Sequence, residues 1–271
     1  MEKRTFVAEK NGRLTRIAPR LLDIPYAEFM KSLRKKDVKI NGRRVSGDAA
    51  LVPGDEVEVY FTASLRQNYK IVFRDDNVLV IDKPCGVLSE KVFESIKTEY
   101  NGARFIHRLD RNTSGIMIFA LNEAAERELV AGFKNRTFIK VYRARVKGTP
   151  HPPEGVLKGY LLKDAESASV KITDKPCKGA LPVKTGYRVL ESDGVTGLVE
   201  IRLYTGRTHQ IRAQFAHIGC PVAGDGKYGD AEFNRRLGVN RQQLNARSLT
   251  LVFGQGSPLY YLNGKTFLSE G

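Results

Sequence analysis

Cysteine and histidine are too few and too scattered to form a disulfide framework or a metal centre. The three cysteines, Cys85, Cys177 and Cys220, are odd in number and lie far apart in the chain of 271 residues. No pair has the CxxC spacing of a zinc site. The four histidines form no HExxH or similar ligand pattern. The sequence therefore favours buried, reduced thiols and predicts no bound metal.

Long apolar segments are also absent. The chain has no run of about 18 apolar residues, the length that a membrane-spanning helix requires. Its first residues, "MEKRTFVAEKNGRLTR", lack the apolar core of a secretory signal. We therefore expect no membrane partner and a cytoplasmic location.

Acidic residues are few relative to basic ones. Lysine and arginine together number 45, aspartate and glutamate 30, and the formal net charge is +15. Such an imbalance implies a polyanionic partner or an anionic surface. The basic excess is present both in residues 1–62 and in the rest of the chain.

Residues 1–62 are predicted to form a small domain of their own. The segment "PYAEFMKSLRKK" places Tyr26, Phe29, Met30 and Leu33 at the spacing of an amphipathic helix. It is followed by "VKINGRRV", two short strands around an Asn-Gly pair, which is a strong hairpin signal. The alternating segment "PGDEVEVYF" then predicts a further strand.

Seven basic residues lie between the end of the predicted helix and the hairpin. Together they would form a positive face, which is either merely solvated or an anchor for RNA. These residues are Lys31, Arg34, Lys35, Lys36, Lys39, Arg43 and Arg44.

Residues 63–70 are polar and predict a linker, and residues 71–271 predict a larger second unit. In it, "IVFRDDNVLVIDKP" is typical of two strands joined by a turn, and "KVFESIKTEY" and "EAAERELVAGFK" are typical of helices, the second capped by Asn122. Further strands are predicted at 137–146, 186–190 and 198–203. Strands joined by short turns, with helices between only some of them, indicate an α+β fold with a mostly antiparallel sheet.

The segment "RFIHRLDRNTSGIMIFA", residues 104–120, contains one aspartate, Asp110, between Arg108 and Arg111. An acid flanked by arginines is commonly half of a surface ion pair. Here, however, a polar cluster follows it, and residues 116–121 are too apolar to be exposed. A carboxylate at the mouth of a buried strand is placed for chemistry, so Asp110 is the first candidate for a catalytic residue.

Four segments of the second unit resemble the signature blocks of the RluA-type pseudouridine synthases. "HRLDRNTSG" resembles their HRLDxxTSG motif, and "VIDKPCG", "KVYRA" and "TGRTHQIRAQFAHIGCPVAGDGKYG" resemble three further blocks in the family's order. The resemblance covers about residues 71–252. Residues 13–61 resemble the S-four type, or alpha-L, RNA-binding domain through "RLTR", "KDVKINGRRV" and "PGDEVEV".

The resemblance implies a pseudouridine synthase fold with a central cleft and isomerisation of uridine to pseudouridine within RNA. The uracil is detached from ribose at its ring nitrogen and rejoined through carbon 5, which requires neither cofactor nor metal. It implies that Asp110 is the nucleophile or electrostatic partner of the ribose, that Arg212 holds Asp110 bidentately, and that Tyr142 stacks on the uracil or removes the proton from carbon 5.

The resemblance also implies roles for residues around these three. Because a base in structured RNA must leave its stack, Arg108 is expected to fill the space that the base vacates. Lys83 and Arg207 are expected to contact phosphates or to be structural. We expect hydrogen-bonded structural roles for His107 and His209, and a turn at Asp225.

Two alternatives stay open at this stage. Ribosomal RNA of the large subunit is the expected substrate, but transfer RNA is the other substrate class for a synthase of this type. A second alternative is a non-catalytic RNA-binding or ribosome-assembly protein built on the same fold, against which the presence of Asp110, Tyr142 and Arg212 argues. The resemblance favours a monomer.

Overall fold

The computed structural model describes residues 2–22, 24, 26–61, 69–164 and 169–270. The chain forms two compact units, Met1–Arg66 and Gln67–Gly271. Of the predicted linker 63–70, residues 63–68 lie outside the described residues. Tyr69 is buried, and Lys70 already belongs to a strand.

The N-terminal unit combines a four-stranded antiparallel sheet with two helices. Its elements in chain order are β1 (Glu2–Val7), β2 (Gly12–Arg13), α1 (Leu14–Leu21), α2 (Tyr26–Arg34), β3 (Val38–Ile40), β4 (Arg43–Val45), β5 (Ala50–Leu51) and β6 (Glu56–Phe61). The sheet order is β1-β6-β3-β4, and β2 pairs with β5. The predicted helix and hairpin are present as α2 and β3–β4.

The Asn-Gly pair predicted the hairpin because these two residues readily adopt the backbone conformation that its turn requires. Asn41 and Gly42 have φ values of 48° and 77°, and positive φ at both central residues is the geometry of the turn that matches the twist of two antiparallel strands. Phe29 and Leu33 of α2 pack with Leu14 and Ala18 of α1 in the core of this unit.

The second unit is built on one sheet of eleven strands. Its strands are β7 (Lys70–Arg74), β8 (Val78–Lys83), β9 (Arg104–Phe105), β10 (Ser114–Ala120), β11 (Ile139–Lys147), β12 (Glu154–Asp164), β13 (Ser169–Thr173), β14 (Leu181–Ser192), β15 (Thr196–Leu203), β16 (Leu244–Thr250) and β17 (Thr266–Leu268). Its helices are α3 (Ser89–Glu99), α4 (Glu123–Asn135), α5 (Gln210–His217) and α6 (Ala231–Leu237), with a short 3₁₀ turn at Tyr260–Leu262.

The sheet has the order β13-β12-β14-β15-β11-β16-β10-β8-β7, with β17 added beside β16 and β9 beside β10. Among its described pairs, β10–β16 is parallel and the others are antiparallel. The predicted mostly antiparallel α+β fold is thus confirmed. Within the described ranges, no helix has both the length and the apolar character needed to cross a bilayer.

Strand β10 explains the apolar run that follows Asp110, because the strand is buried on both faces. Ile116 and Ile118 pack with Leu129 of α4 on one face. Met117 and Phe119 pack with residues of α3 on the other. A strand covered on both faces has a continuous rather than an alternating apolar sequence. The Asp110 loop therefore leads directly into the start of a central strand that is buried on both faces.

Candidate active site

The loop that carries Asp110 is fixed by hydrogen bonds on both sides of the aspartate. Ser89 Oγ, at the start of α3, donates to the carbonyl of Leu109 over 2.8 Å and accepts from its N–H over 3.0 Å. Thr113 N–H closes a turn onto the Asp110 carbonyl at 3.0 Å, and Gln242 Nε2 donates to Thr113 Oγ1 at 2.9 Å. The main chain of Asp110 is therefore held in place before any substrate binds.

Lys83 is one of these supports, which agrees with the structural alternative among its two expected roles and not with a contact to RNA phosphate. Its side chain is fully buried, and Nζ donates to the carbonyls of Pro84 and Val87 at 2.8 Å and of Arg111 at 3.1 Å. Burial lowers the pKa of Lys83 to about 8. Three carbonyls use all three of its N–H bonds, so Lys83 ties the loop after β8 to the Asp110 loop and is not available to a phosphate.

Arg212 joins Asp110 to a second carboxylate. Arg212 lies on α5 with its side chain 8% exposed, and its Nη1 donates to Asp110 Oδ2 at 2.9 Å. Its Nε and Nη2 donate to Asp225 Oδ2 at 2.6 Å and Oδ1 at 2.9 Å. The predicted proximity of Arg212 and Asp110 is present, but the prediction of a bidentate pair between them is wrong. The bidentate contact of Arg212 is with Asp225, and Asp110 accepts a single N–H hydrogen bond from it.

Asp225 is thus more than the turn residue that the sequence indicated. Its carboxylate is wholly buried and also accepts from the N–H groups of Lys227 and Tyr228, at 2.8 and 3.1 Å. Burial by itself would raise the pKa of this carboxyl. The hydrogen bonds and charge of Arg212, together with the two N–H groups, instead hold the pKa below its ordinary value. The bonds to Asp225 therefore fix the Arg212 side chain independently of its hydrogen bond to Asp110.

His209 lies beside this pair, at the N-terminal end of α5, with a left-handed φ of 55°. Its Nδ1 is 2.9 Å from Tyr228 Oη, and that oxygen already accepts from Val170 N–H at 2.9 Å. Nε2 is 3.8 Å from Asp110 Oδ2. Burial lowers the pKa of His209, although Asp110 acts in the opposite direction.

Tyr142 projects from β11 into the same space. Burial, and secondarily the charge of Asp110, raises the pKa of its phenol well above the ordinary value. The phenol is therefore protonated at neutral pH. This electrostatic environment suits a stacking surface and disfavours a phenolate that would act as a base.

Four of these residues line one cavity of about 550 Å³, namely Asp110, Tyr142, His209 and Arg212. Asp110 Oδ2 is engaged by Arg212, whereas Asp110 Oδ1 accepts no hydrogen bond from the residues that the structure describes. Within the same described ranges, no three histidine, cysteine, aspartate or glutamate side chains are grouped so as to hold a metal ion. The remaining predicted groups on the cavity wall are His107, Arg108 and Arg207.

The arginines and His107 differ in how firmly they are held. Arg108 is 64% exposed and pairs with Glu90 at 2.9 Å. Arg207 Nε is buried and has no hydrogen-bond partner among the described residues. His107 Nε2 accepts from Ile118 N–H at 3.1 Å, its ring stacks on Phe133 at 4.4 Å, and burial lowers its pKa to about 3. The predicted structural role of His107 agrees with these contacts.

Lys140 is a cavity residue that the sequence reasoning missed. It lines the cavity and is partly buried, and burial lowers its pKa. It lies two residues before Tyr142 on β11, and side chains two apart on a strand point to the same face. The position of Tyr142 and this alternation together indicate that Lys140 also faces the cavity.

The seven basic residues at the end of α2 and in the hairpin are mostly exposed. Lys39 is the exception, since its Nζ lies 3.7 Å from Glu58 and over the ring of Tyr60. The other six, which we call the N-terminal basic face, form no ion pair with any residue described in this unit. They are Lys31, Arg34, Lys35, Lys36, Arg43 and Arg44.

The fold of the second unit is that of pseudouridylate synthase domains. The human protein "RNA Pseudouridylate Synthase Domain Containing 1" superposes with a TM-score of 0.61 and 27% identity, over 75% of this chain and 89% of that one. The human "RNA Pseudouridylate Synthase Domain Containing 4" has the same fold, with a TM-score of 0.61 and 23% identity over 74% and 88% of the two chains.

The family model described as RNA pseudouridylate synthase matches residues 77–217. A relative from Vibrio cholerae, "Ribosomal large subunit pseudouridine synthase C", is 32% identical over 86% of this chain and 82% of its own. The chain therefore belongs to the RNA pseudouridylate synthase family, and the predicted RluA-type membership is confirmed. It is an RNA pseudouridine synthase, which is an isomerase.

Proposed function

We propose that this synthase converts uridine to pseudouridine in large-subunit ribosomal RNA. The proposal is supported by the relatives from Vibrio cholerae and Escherichia coli, which are named for the large ribosomal subunit and match more than four fifths of the chain. Transfer RNA is the alternative substrate. The non-catalytic alternative is disfavoured because Asp110, Arg212 and Tyr142 all lie on one cavity.

Asp110 is the proposed catalytic residue, and the observation that carries this is its asymmetric carboxylate. One oxygen is held by Arg212 at 2.9 Å, and the other is open to the cavity. When the bond between ribose C1′ and uracil N1 breaks, its electrons leave with the base and C1′ becomes electron-poor. The free oxygen of Asp110 then either bonds to C1′ or stabilises its charge. The uracil turns and C5 bonds to C1′, and any bond between Asp110 and C1′ breaks as the new bond forms. The surplus proton then leaves C5 and N1 gains one, so that the product is an isomer of uridine.

Arg212 holds the Asp110 carboxylate in the orientation that this step requires. A carboxylate in a cavity resists ionisation unless a cation accompanies it, and Arg212 is itself fixed by the two oxygens of Asp225. Tyr142 provides the surface on which the uracil stacks, since its phenol stays protonated. His209 Nε2 lies 3.8 Å from Asp110 Oδ2, and we propose that it carries the imidazole proton and offers it to the departing base.

Access to the uridine requires that it leave its helical stack. Arg108 is the proposed wedge, because its guanidinium is largely exposed at the cavity and its ion pair with Glu90 is a surface pair that costs little to break. Arg207 is the proposed phosphate contact on the cavity wall. Residues 1–62 are proposed to be an S-four-like RNA-binding domain that holds the RNA through the N-terminal basic face.

The test is release of tritium from RNA labelled at C5 of uridine. Asp110→Asn should lose all measurable release while its affinity for RNA stays within about threefold of wild type, because the amide keeps the shape and loses the charge. Asp76→Asn, a change at an exposed aspartate between β7 and β8, is the matched control and should be fully active.

Unmodified large-subunit ribosomal RNA and transfer RNA transcripts should be compared in parallel. Tritium release from ribosomal RNA alone would support the proposed substrate. Tritium release from transfer RNA alone would mean that transfer RNA is the substrate instead. Turnover by Asp110→Asn would contradict the role of the aspartate.

A further inference from the structure

A second cavity of the catalytic unit borders the cavity that holds Asp110. It also measures about 550 Å³ and is lined by β12, β14 and the turn after β15. Arg136 lines both cavities. Leu203 and Gly206 face the Asp110 cavity, whereas Tyr204 and Thr205, between them in the chain, face the second. The two cavities therefore adjoin at Arg136 and along residues 203–206.

The lining of the second cavity is positively charged. Arg136, Lys158 and Lys184 are exposed there, and none of the three pairs with an acid among the residues that the structure describes. Asp174 is the acid of the lining, and its Oδ1 is engaged by His217 Nε2 at 3.0 Å. Three cations without acidic partners provide a favourable environment for phosphate groups.

Tyr204 gives this cavity an aromatic surface. Its ring lies close against Gly186, where an added Cβ would approach ring atom Cε2 to 3.1 Å, so the glycine makes room for the ring. Lys184 Nζ lies 4.7 Å and Arg202 Cζ 5.3 Å from the ring centroid. These cations lie over the face of the ring. Sites that bind single-stranded nucleic acid combine an aromatic ring, on which a base stacks, with cations that neutralise the phosphate.

We propose that the second cavity binds a nucleotide of the substrate RNA next to the flipped uridine, with its base on Tyr204 and its phosphate at Lys184 and Arg136. The inference rests on the proposed function for the identity of the RNA. The volume lies within the range of ligand pockets, about 300 to 1,000 Å³. An acidic peptide would use the cations but not the aromatic ring, whereas a nucleotide uses both.

The chain has no tryptophan, so Tyr204→Trp introduces a single tryptophan at the proposed stacking surface, and its fluorescence can be excited selectively over that of the tyrosines. Titration with an unmodified transcript of large-subunit ribosomal RNA should quench this fluorescence, and Lys184→Gln in the same background should shift the titration to higher RNA concentration. Tyr260→Trp, at a partly exposed tyrosine of the 3₁₀ turn, is the matched control for non-specific quenching. Quenching at position 204 no greater than at position 260 would overturn the proposal.

A kinetic measurement covers the case in which Tyr204→Trp does not fold. Tyr204→Leu should raise KM for the transcript about five- to a hundredfold, with kcat within about twofold of wild type, because the lost contact is stacking outside the reacting cavity. Tyr260→Leu should change neither constant. An unchanged KM for Tyr204→Leu would also overturn the proposal.

The two proposals fail in distinguishable ways. If wild type releases tritium and the fluorophore of the Tyr204→Trp variant is not quenched, the nucleotide site is wrong and the function stands. If that fluorophore is quenched by RNA in a manner that depends on Lys184, but wild type releases no tritium from this transcript, the nucleotide site is supported and the proposed substrate is wrong.

Discussion

At the scale of single residues, the decisive feature is an arginine shared by two carboxylates. Arg212 donates one N–H to Asp110 and two to Asp225. A lysine offers one compact charge and cannot reproduce three bonds in a fixed fork. Arg212→Lys should therefore lower kcat at least about 100-fold, since a small displacement of Asp110 is enough for such a loss. Single-turnover tritium release measures the effect on the chemical step.

The matched control is Arg188→Lys, which changes an arginine that is 59% exposed and pairs with Glu200 at 3.1 Å. Exposed pairs contribute about 0 to 1 kcal/mol, so this variant should match wild type in rate and in thermal stability. Near wild-type rates for Arg212→Lys would show that positive charge alone is sufficient and that the geometry of the fork is not required.

At the scale of elements, the position of the Asp110 loop depends on the close approach of β10 to β16. Gly115, at the start of β10, has a φ of 115°, and a Cβ added there would lie 2.4 to 2.8 Å from the main chain of Ala246. Gly115→Ala should destabilise the catalytic unit by about 2 to 4 kcal/mol, because backbone strain and overpacking add. Urea unfolding would measure the loss, and activity should fall in the fraction that stays folded.

The control for this substitution is Gly254→Ala, where an added Cβ meets nothing within 4 Å and φ is ordinary. Its stability should stay within about 0.5 kcal/mol of wild type. A Gly115→Ala protein as stable and active as this control would mean that β10 and β16 can separate without moving Asp110.

At the scale of the whole molecule, the chain consists of two compact units, to which the proposed function gives different roles. If the N-terminal basic face holds RNA, neutralising its six residues to glutamine should reduce the slope of log affinity against log salt by about two to four, with close to one unit lost per phosphate contact. The turnover number at saturating RNA should not change, because no cavity residue is altered. Filter binding over a salt series, with kinetics in parallel, would measure both.

A second variant of the same unit serves as the control. Lys10, Arg16 and Arg20 are exposed on α1 and the turn before β2. Replacing these three by glutamine removes charge from the unit and leaves the N-terminal basic face intact. Its salt slope should fall by less than about one. Equal losses per charge in both variants would mean that the unit attracts RNA only through its total charge.

Patterns confined to a few residues were enough to predict much of the fold. The spacing of Phe29 and Leu33 predicted α2, the Asn-Gly pair predicted its hairpin, and Asn122 caps α4 by accepting from Ala125 N–H at 2.9 Å. The helix α1 was missed because Pro19 lies inside it. Proline removes one helical hydrogen bond, and the burial of Leu14 and Ala18 in a core of distant residues compensates for that loss.

The sequence by itself determined the reaction class and named Asp110, since a motif of nine residues and the order of four blocks are properties of the chain alone. The tertiary structure decided what surrounds Asp110. Arg212 is 102 positions away from it, and Lys83 is 28 positions away from the carbonyl of Arg111 that it holds. Which partner a charged side chain finds depends on how strands far apart in sequence pair and on which side chains that pairing buries. For this reason the sharing of Arg212 with Asp225 and the burial of Lys83 could not be predicted from local pattern.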